Sequence, residues 1–529
     1  MLARERGMDD SARGDATGAA SAPSPGEGTG EPPERPPLSE SMSGGWRAVL
    51  PLWLQRRRWA PASVILTLAA LMLVGGWVQK SPCLHTNPSW ANGLPYRYAC
   101  YSDVIPLYGI EGLEQSGTFP YQYTWIDGQG TPGEKKAHME YPVLTGMLMY
   151  VSAKVTHVYL SAAKSFIYLP LTSPNNVFFN VCALFASLFW LFSVWCITRM
   201  TRRRVWDGAI AALSPLIIVQ AFTNWDMLAV ALATSGMFAW SRRRPALAGA
   251  LLGLGAAAKL YPVLLLIPLF ALCLRAGELR RWSRAAIAAV VAWGVVNAPI
   301  AILFPEGWYE FIHLNSTRGA DPDSLYNVIA QFSGWGGFDG PLGPDQTPVV
   351  LNTFIAVTLI ACCGAIVLIA LSAPRRPRFA QVAFLTVSAF LITNKVWSPQ
   401  YSLWLIPLAV LAIPRWRLLL VWMLIDAFLW LPRMYFYLGT KEGGWTITPF
   451  LDMVIARDSA VAVLCALVIY EIYHPARDLV RRSGDDDPAG GVLDGAPDAL
   501  RLRFKALGRL RRRTVAPGPA PSDPAPAGL

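Results

Sequence analysis

Arginine clusters alternate with long apolar runs along this chain, and that alternation limits what it can fold into. Arg56, Arg57 and Arg58 precede an apolar run at 61–79. Arg199, Arg202, Arg203 and Arg204 close another at 177–198, and Arg242, Arg243 and Arg244 close a third at 225–240. A run near 20 residues crosses a bilayer as a helix, and basic loops stay on the inner side. Of 529 residues, 53% are hydrophobic and 15% charged, against about 25% charged in an ordinary soluble domain. The chain reads as an all-α polytopic membrane protein. Its net charge of +11 belongs to inner loops and calls for no nucleic acid.

Further spans are expected at 205–221, 286–304, 349–371, 378–394, 399–413, 416–432 and 453–472. The stretch 245–274 is apolar except for Lys259, and basic residues flank both of its ends. Thirty helical residues would reach about 45 Å, too far for one crossing. Length and parity therefore predict two short helices with "KLYP" (259–262) at an outer tip, Lys259 at the outer surface and Pro262 opening the return. The total is roughly twelve spans with both termini inside. The segment 142–160 cannot cross once and is expected to lie in the outer interface or to re-enter. The first 45 residues, without an apolar leader core, read as a disordered inner tail. Residues 46–480 form the membrane domain, and 481–529 read as a largely disordered basic tail. Within that tail, "ALRLRFKALGRLRRR" (499–513) fits either an amphipathic helix on anionic lipid or a solvated run.

This threading gathers the polar peculiarities outside. They include "CYSDVIPLYG" (100–109), "HMEYP" (138–142), "TNWD" (223–226), "KLYP", the 308–327 loop, "TNKVWSPQY" (393–401) and "RMYFYLGTKEGGW" (433–445). Several are short turns, where plain loop chemistry would suffice. Aromatic rings, carboxylates and amides at such turns suit a sugar. Cys83 and Cys100 share the long first outer loop, where an oxidising exterior allows a bridge. It would close a loop of about 16 residues, worth roughly 3 kcal/mol in the chain-entropy model. "DPD" (321–323) is a weak metal signal, and the histidines show no ligand spacing. No cofactor is required by these residues; a divalent metal is compatible with them but not indicated.

"TNWDMLAVAL", "GLGAAAKLYPVLLL", "EYPVLTG" and "NKVWSPQYSLWLIPL" together resemble the integral-membrane glycosyltransferases of family 87, over roughly residues 60–475. The resemblance implies a GT-C fold in an actinobacterial plasma membrane. It also implies a polyprenyl-phosphate sugar donor, mannose above all, and chemistry on the outer face toward an envelope lipid or glycan acceptor. In that class an aspartate of the first outer loop commonly acts as base, and Asp103 in "YSDV" matches it. Glu140 and Asp226 compete for the role, and Asp103 could instead cap a helix starting at Val104.

Inverting transfer needs a base for the acceptor hydroxyl and stabilisation of the departing phosphate. Lys259, with Lys395 and Arg318 as helpers, is expected to face that phosphate; the alternative is snorkelling to ordinary lipid headgroups. Glu140, Tyr141, Asn224, Asp226, Tyr261, Gln400 and Tyr401 are the candidate substrate contacts. Two other classes compete: a lipid-linked-sugar flippase, which would distribute polar groups along a path through the spans, and a non-catalytic envelope-assembly protein.

Overall fold

Pro174 at a first helical position and Ser173 as its cap show how local chemistry sets the spans. The Ser173 side chain accepts from the Asn176 amide, satisfying one of the free donors of a helix start. The computed structural model describes residues 60–85, 93–128, 134–165, 168–343 and 345–502. The expected tail 1–45, and the 503–513 part of the basic stretch, lie outside them.

The helices used below are α1 (Ala60–Lys80), α2 (Val104–Ile110), α3 (Val143–Ser165), α4 (Pro174–Met200), α5 (Pro215–Gln220) and α6 (Asp226–Ser241). They continue as α7 (Pro245–Ala258), α8 (Leu266–Ala276), α9 (Leu279–Leu303), α10 (Pro305–Thr317), α11 (Val349–Ser372) and α12 (Phe379–Thr393). α13 (Leu405–Ala412), α14 (Trp416–Phe428), α15 (Trp430–Leu438) and α16 (Thr448–Tyr473) follow. A small antiparallel pair, Trp125–Asp127 with Lys135–Ala137, lies in the long first loop.

Among the described residues, six helices are long and apolar enough to cross a membrane: α1, α4, α9, α11, the α14–α15 stretch and α16. Four shorter apolar helices accompany them, including both arms of 245–274. The span expected at 205–221 is instead broken into a 3-10 turn (Arg202–Asp207), Gly208–Ala212 and α5. Pro215 explains one break, since its ring and missing N–H cannot continue a helix.

The 245–274 stretch divides at Lys259, as its length requires. α7 ends there, and a 3-10 turn over Tyr261–Leu265 leads into α8. Fourteen residues of α7 rise only about 21 Å, against roughly 30 Å of hydrocarbon. Lys259, expected at an outer tip, is buried where α7 ends. The long helix α3 packs against the first long loop. Its Lys154 and His157 bond to the carbonyls of Ser116 and Glu114 in the first long loop. The start of α4 lies beside the residues that follow α1, where Asn176 donates to Leu84 O.

Packing relies on small residues. Gly249 and Gly253 of α7 face Ala285 and Ala289 of α9, and a Cβ on Gly249 would stand 1.8 Å from Ala285 O. Small residues four apart let membrane helices approach closely where no hydrophobic drive operates between them.

At the arginine end, the chain expected to leave as a tail at 481 stays folded to Leu502. Arg378 pairs with Asp478 at 2.7 Å, Arg202 with Asp494 at 2.7 Å, and Arg275 with Asp498 at 2.7 Å. A composition rich in Gly, Pro and Asp reads as solvated, but its carboxylates meet arginines fixed at helix ends. The folded boundary therefore lies beyond 480. Gly249→Val should force α7 off α9 and cost more than about 2 kcal/mol; thermal unfolding in detergent, compared with Gly294→Val on an open stretch of α9, measures it.

Candidate active site

Four anchors hold the Cys100–Asp103 segment before any substrate is considered. A disulfide joins Cys83 and Cys100. Lys80 at the end of α1 donates to Tyr101 O at 2.8 Å, its ammonium 4.5 Å from the centre of the Trp430 ring. Ser102 Oγ donates to Phe222 O at 2.7 Å, and the Asp103 amide donates to Thr223 O at 2.9 Å. The segment is thereby fastened to the turn between α5 and α6.

Asp103 stands at the N-cap position of α2, yet its side chain caps nothing. Its carboxylate instead accepts from Tyr101 Oη at 2.7 Å on one oxygen and from Asn224 Nδ2 at 2.7 Å on the other. Asn224 Nδ2 also donates to Tyr141 Oη at 2.9 Å, and Asn224 Oδ1 accepts from the Trp225 amide. Burial first, and then the Asp103 charge, push the Tyr101 hydroxyl well above its ordinary range. It therefore remains a donor to Asp103.

Lys259 follows the last turn of α7 in extended conformation. Its ammonium stands 5.1 Å from the Tyr141 ring centre and 5.4 Å from that of Tyr401, within cation–π range. The Asp226 carboxylate is 3.7 Å away, an ion pair beyond hydrogen-bond length. Thr145 of α3 donates to Ala258 O at 2.7 Å and holds the helix end. Asp226 is fully buried behind Lys259 and accepts from Trp404 Nε1 at 2.8 Å. The structure makes it a partner of Lys259 rather than a wall of the cavity. Trp404 lies between Tyr261 (4.4 Å) and Tyr401 (4.2 Å), both stacked on it.

One cavity of about 840 Å³ brings these groups together. Asp103, Glu140, Tyr141, Asn224, Lys259, Tyr261, Arg318, Lys395, Gln400 and Tyr401 all line it. Arg318 pairs with Asp321 at 2.7 Å. Lys395 donates to Asn352 Oδ1 and to the Arg318 carbonyl, so it also fastens the 316–318 segment. Burial and then the Arg318 guanidinium hold the Lys395 ammonium down at about 8. Burial raises the Glu140 carboxyl, and Arg318 opposes the rise. Both carboxylates of "DPD" are taken: Asp321 by Arg318, and Asp323 by Arg433 at 3.0 Å.

Several wall residues escaped the sequence reading. Tyr96, Arg433 and Tyr437 line the cavity beside Tyr101, with the Tyr96 ring near-parallel to those of Tyr101 and Tyr437. Glu111 is buried close to Glu140 and Asp103, and its carboxyl is raised by burial and then by those neighbours. Trp404 lies inside the "NKVWSPQYSLWLIPL" motif, and Arg433 and Tyr437 lie inside the quoted 433–445 stretch, so the sequence points to their segments without singling out the residues themselves.

A carboxylate, an ammonium and stacked aromatic rings in one cavity among membrane helices can bind a sugar and stabilise a leaving anion. Residues 162–399 match the family model for glycosyltransferase family 87. That stretch includes Asn224, Asp226, Lys259, Tyr261, Arg318 and Lys395, and stops short of Gln400 and Tyr401. No curated protein matches the sequence. On this match, residues 162–399 of this multi-helix membrane chain are similar to glycosyltransferase family 87.

Proposed function

We propose that the chain transfers a sugar, with mannose as the leading candidate, from a polyprenyl phosphate to an envelope lipid or glycan hydroxyl, with inversion. The observation that supports this most is the shared cavity of Asp103 and Lys259, linked through Asn224 and Tyr141. Asp103 takes the proton of the acceptor hydroxyl as its oxygen bonds to the anomeric carbon. The bond from that carbon to the phosphate oxygen breaks, and its electron pair leaves with the lipid phosphate. The Lys259 ammonium, whose nearest carboxylate stands at 3.7 Å, stabilises that anion, with Arg318 and Lys395 on the same wall. Electrostatic stabilisation of a leaving charge in a low-dielectric site is a large catalytic contribution. Tyr141 and Tyr401 offer ring faces to the sugar, Gln400 and Glu140 offer hydrogen bonds, and Asn224 positions Asp103 and Tyr141. Leu260, Trp293 and Phe390 line the same cavity and suit the prenyl chain.

The reading needs no step from Asp226, whose carboxylate is engaged by Trp404 and Lys259. A donor monophosphate and an acceptor hydroxyl are substrates of this scheme, and no cofactor takes part in it. The active face is the outer one in the plasma-membrane orientation that the arginine pattern implies.

Asp103→Asn fits the hole it leaves. The new amide oxygen accepts from Asn224, and the Tyr101 hydroxyl turns to accept from the amide N–H. Transfer should fall at least about a hundredfold, the scale of general-base loss, with thermal stability retained; radiolabelled polyprenyl-phosphate mannose and membrane lipids provide the assay, and undiminished turnover would remove Asp103 from the mechanism. The Lys395 charge is present below about pH 8 and lost above it. Donor KM should accordingly climb as pH passes 8 in the wild type and remain level in Lys395→Arg, whose guanidinium does not titrate there; parallel profiles would discharge Lys395 from phosphate binding.

A further inference from the structure

A second cavity, of about 650 Å³, opens between α4, α6 and α7 at the arginine end of the bundle. Its walls are apolar, with Phe192 from α4, Leu232 and Phe238 from α6, and Leu251 from α7. Arg242 and Arg244 close it at one end. From Leu228 to Arg242 the groove follows fourteen residues of chain, about 21 Å at helical rise. One leaflet is roughly 15 Å deep, so a whole acyl chain fits along the groove.

Several arginines at that end are neutralised by aspartates, and, among the described residues, those at the mouth of the groove are not. Arg202, Arg275, Arg375, Arg376 and Arg378 each have an aspartate partner from the folded segment 478–498. Among the described residues, no carboxylate pairs with Arg242 or Arg244, and both are exposed. The Arg242 guanidinium lies over the Phe238 ring at 4.9 Å, which leaves its in-plane N–H groups free. Arg243 between them adopts a left-handed φ of 61°. Such a conformation is uncommon for a residue with a Cβ, and here Arg242 and Arg244 line the groove while Arg243 does not.

We infer that this groove binds an anionic diacyl phospholipid of the leaflet opposite the active cavity. One acyl chain lies along α6, and the phosphate sits between Arg242 and Arg244. Arginine suits this role because its planar fork meets phosphate oxygens in pairs. Shape admits any lipid tail; the unpaired guanidinium groups select the negative headgroup. The assignment does not depend on which sugar the enzyme moves, or on the transfer reaction itself.

Native mass spectrometry of the full chain in detergent tests it with equal additions of dioleoyl phosphatidylglycerol and dioleoyl phosphatidylcholine. Wild type should retain the phosphatidylglycerol about thirtyfold more tightly, the scale expected of two basic residues at a membrane surface. Arg242→Gln/Arg244→Gln should bring the two lipids level. Both arginines are exposed, and an unchanged melting temperature establishes that the variant is folded. Equal retention of both lipids by wild type would overturn the inference, as would phosphatidylglycerol selectivity that survives the double substitution, or a lipid-free dimer in which a second copy fills the groove.

Discussion

The hydrogen bonds of Asn224 hold the active cavity together. Its amide group reaches Asp103 from the first long loop and Tyr141 from the entry to α3, while its own residue sits in the turn before α6. Three segments far apart in sequence meet at one side chain. The amide suits this place because Nδ2 has two hydrogens, one for each partner, and Oδ1 accepts from the neighbouring backbone. Ser102 and Asp103 add backbone-directed bonds to the same turn, so the carboxylate is fixed by its surroundings and is not a mobile loop residue.

Charge is treated differently at the two ends of the bundle. At the cavity end the cations have partial partners. Lys259 has Asp226 at 3.7 Å, Arg318 has Asp321, and Arg433 has Asp323. Desolvated cations without any neighbour would shed their charge, whereas a fully bonded one would have little left for an anion. Lys259 lies between those limits, with aromatic rings on its flanks. At the other end a segment rich in aspartates pairs with Arg202, Arg275, Arg375, Arg376 and Arg378, and not with Arg242 or Arg244 at the α6–α7 turn.

The short helices serve the site. α6 and α7 have fewer residues than a full crossing of the hydrocarbon needs, and the turns at their cavity ends carry Asn224 and Lys259 into its wall. Gly249 and Gly253 allow α9 to lie almost against α7, and Trp293 and Asn297 of α9 thereby reach the cavity wall. Close helix packing in the membrane and the shape of the site have one cause.

Much of this was legible in the residues. Arginine spacing placed the major helices, the length of 245–274 demanded a break at Lys259, and two cysteines in one long loop proposed their bridge; each follows from local periodicity, length or compartment. Other features needed a third dimension. Pro215 marks a break, but the division of 205–221 into several pieces depends on packing. Asp226 reads like any polar residue at a helix start, yet its burial behind Lys259 depends on where Trp404 arrives from 178 residues away. Tyr96, Arg433 and Tyr437 belong to segments whose approach no local pattern encodes. The aspartates of 478–498 resemble a solvated tail until their arginine partners are in place. The chain by itself determined where the long apolar helices lie and which polar groups stand at their ends, because the membrane enforces that on every helix separately. Only the tertiary structure decided which carboxylate meets which cation, because pairing depends on distances between segments that sequence order leaves open.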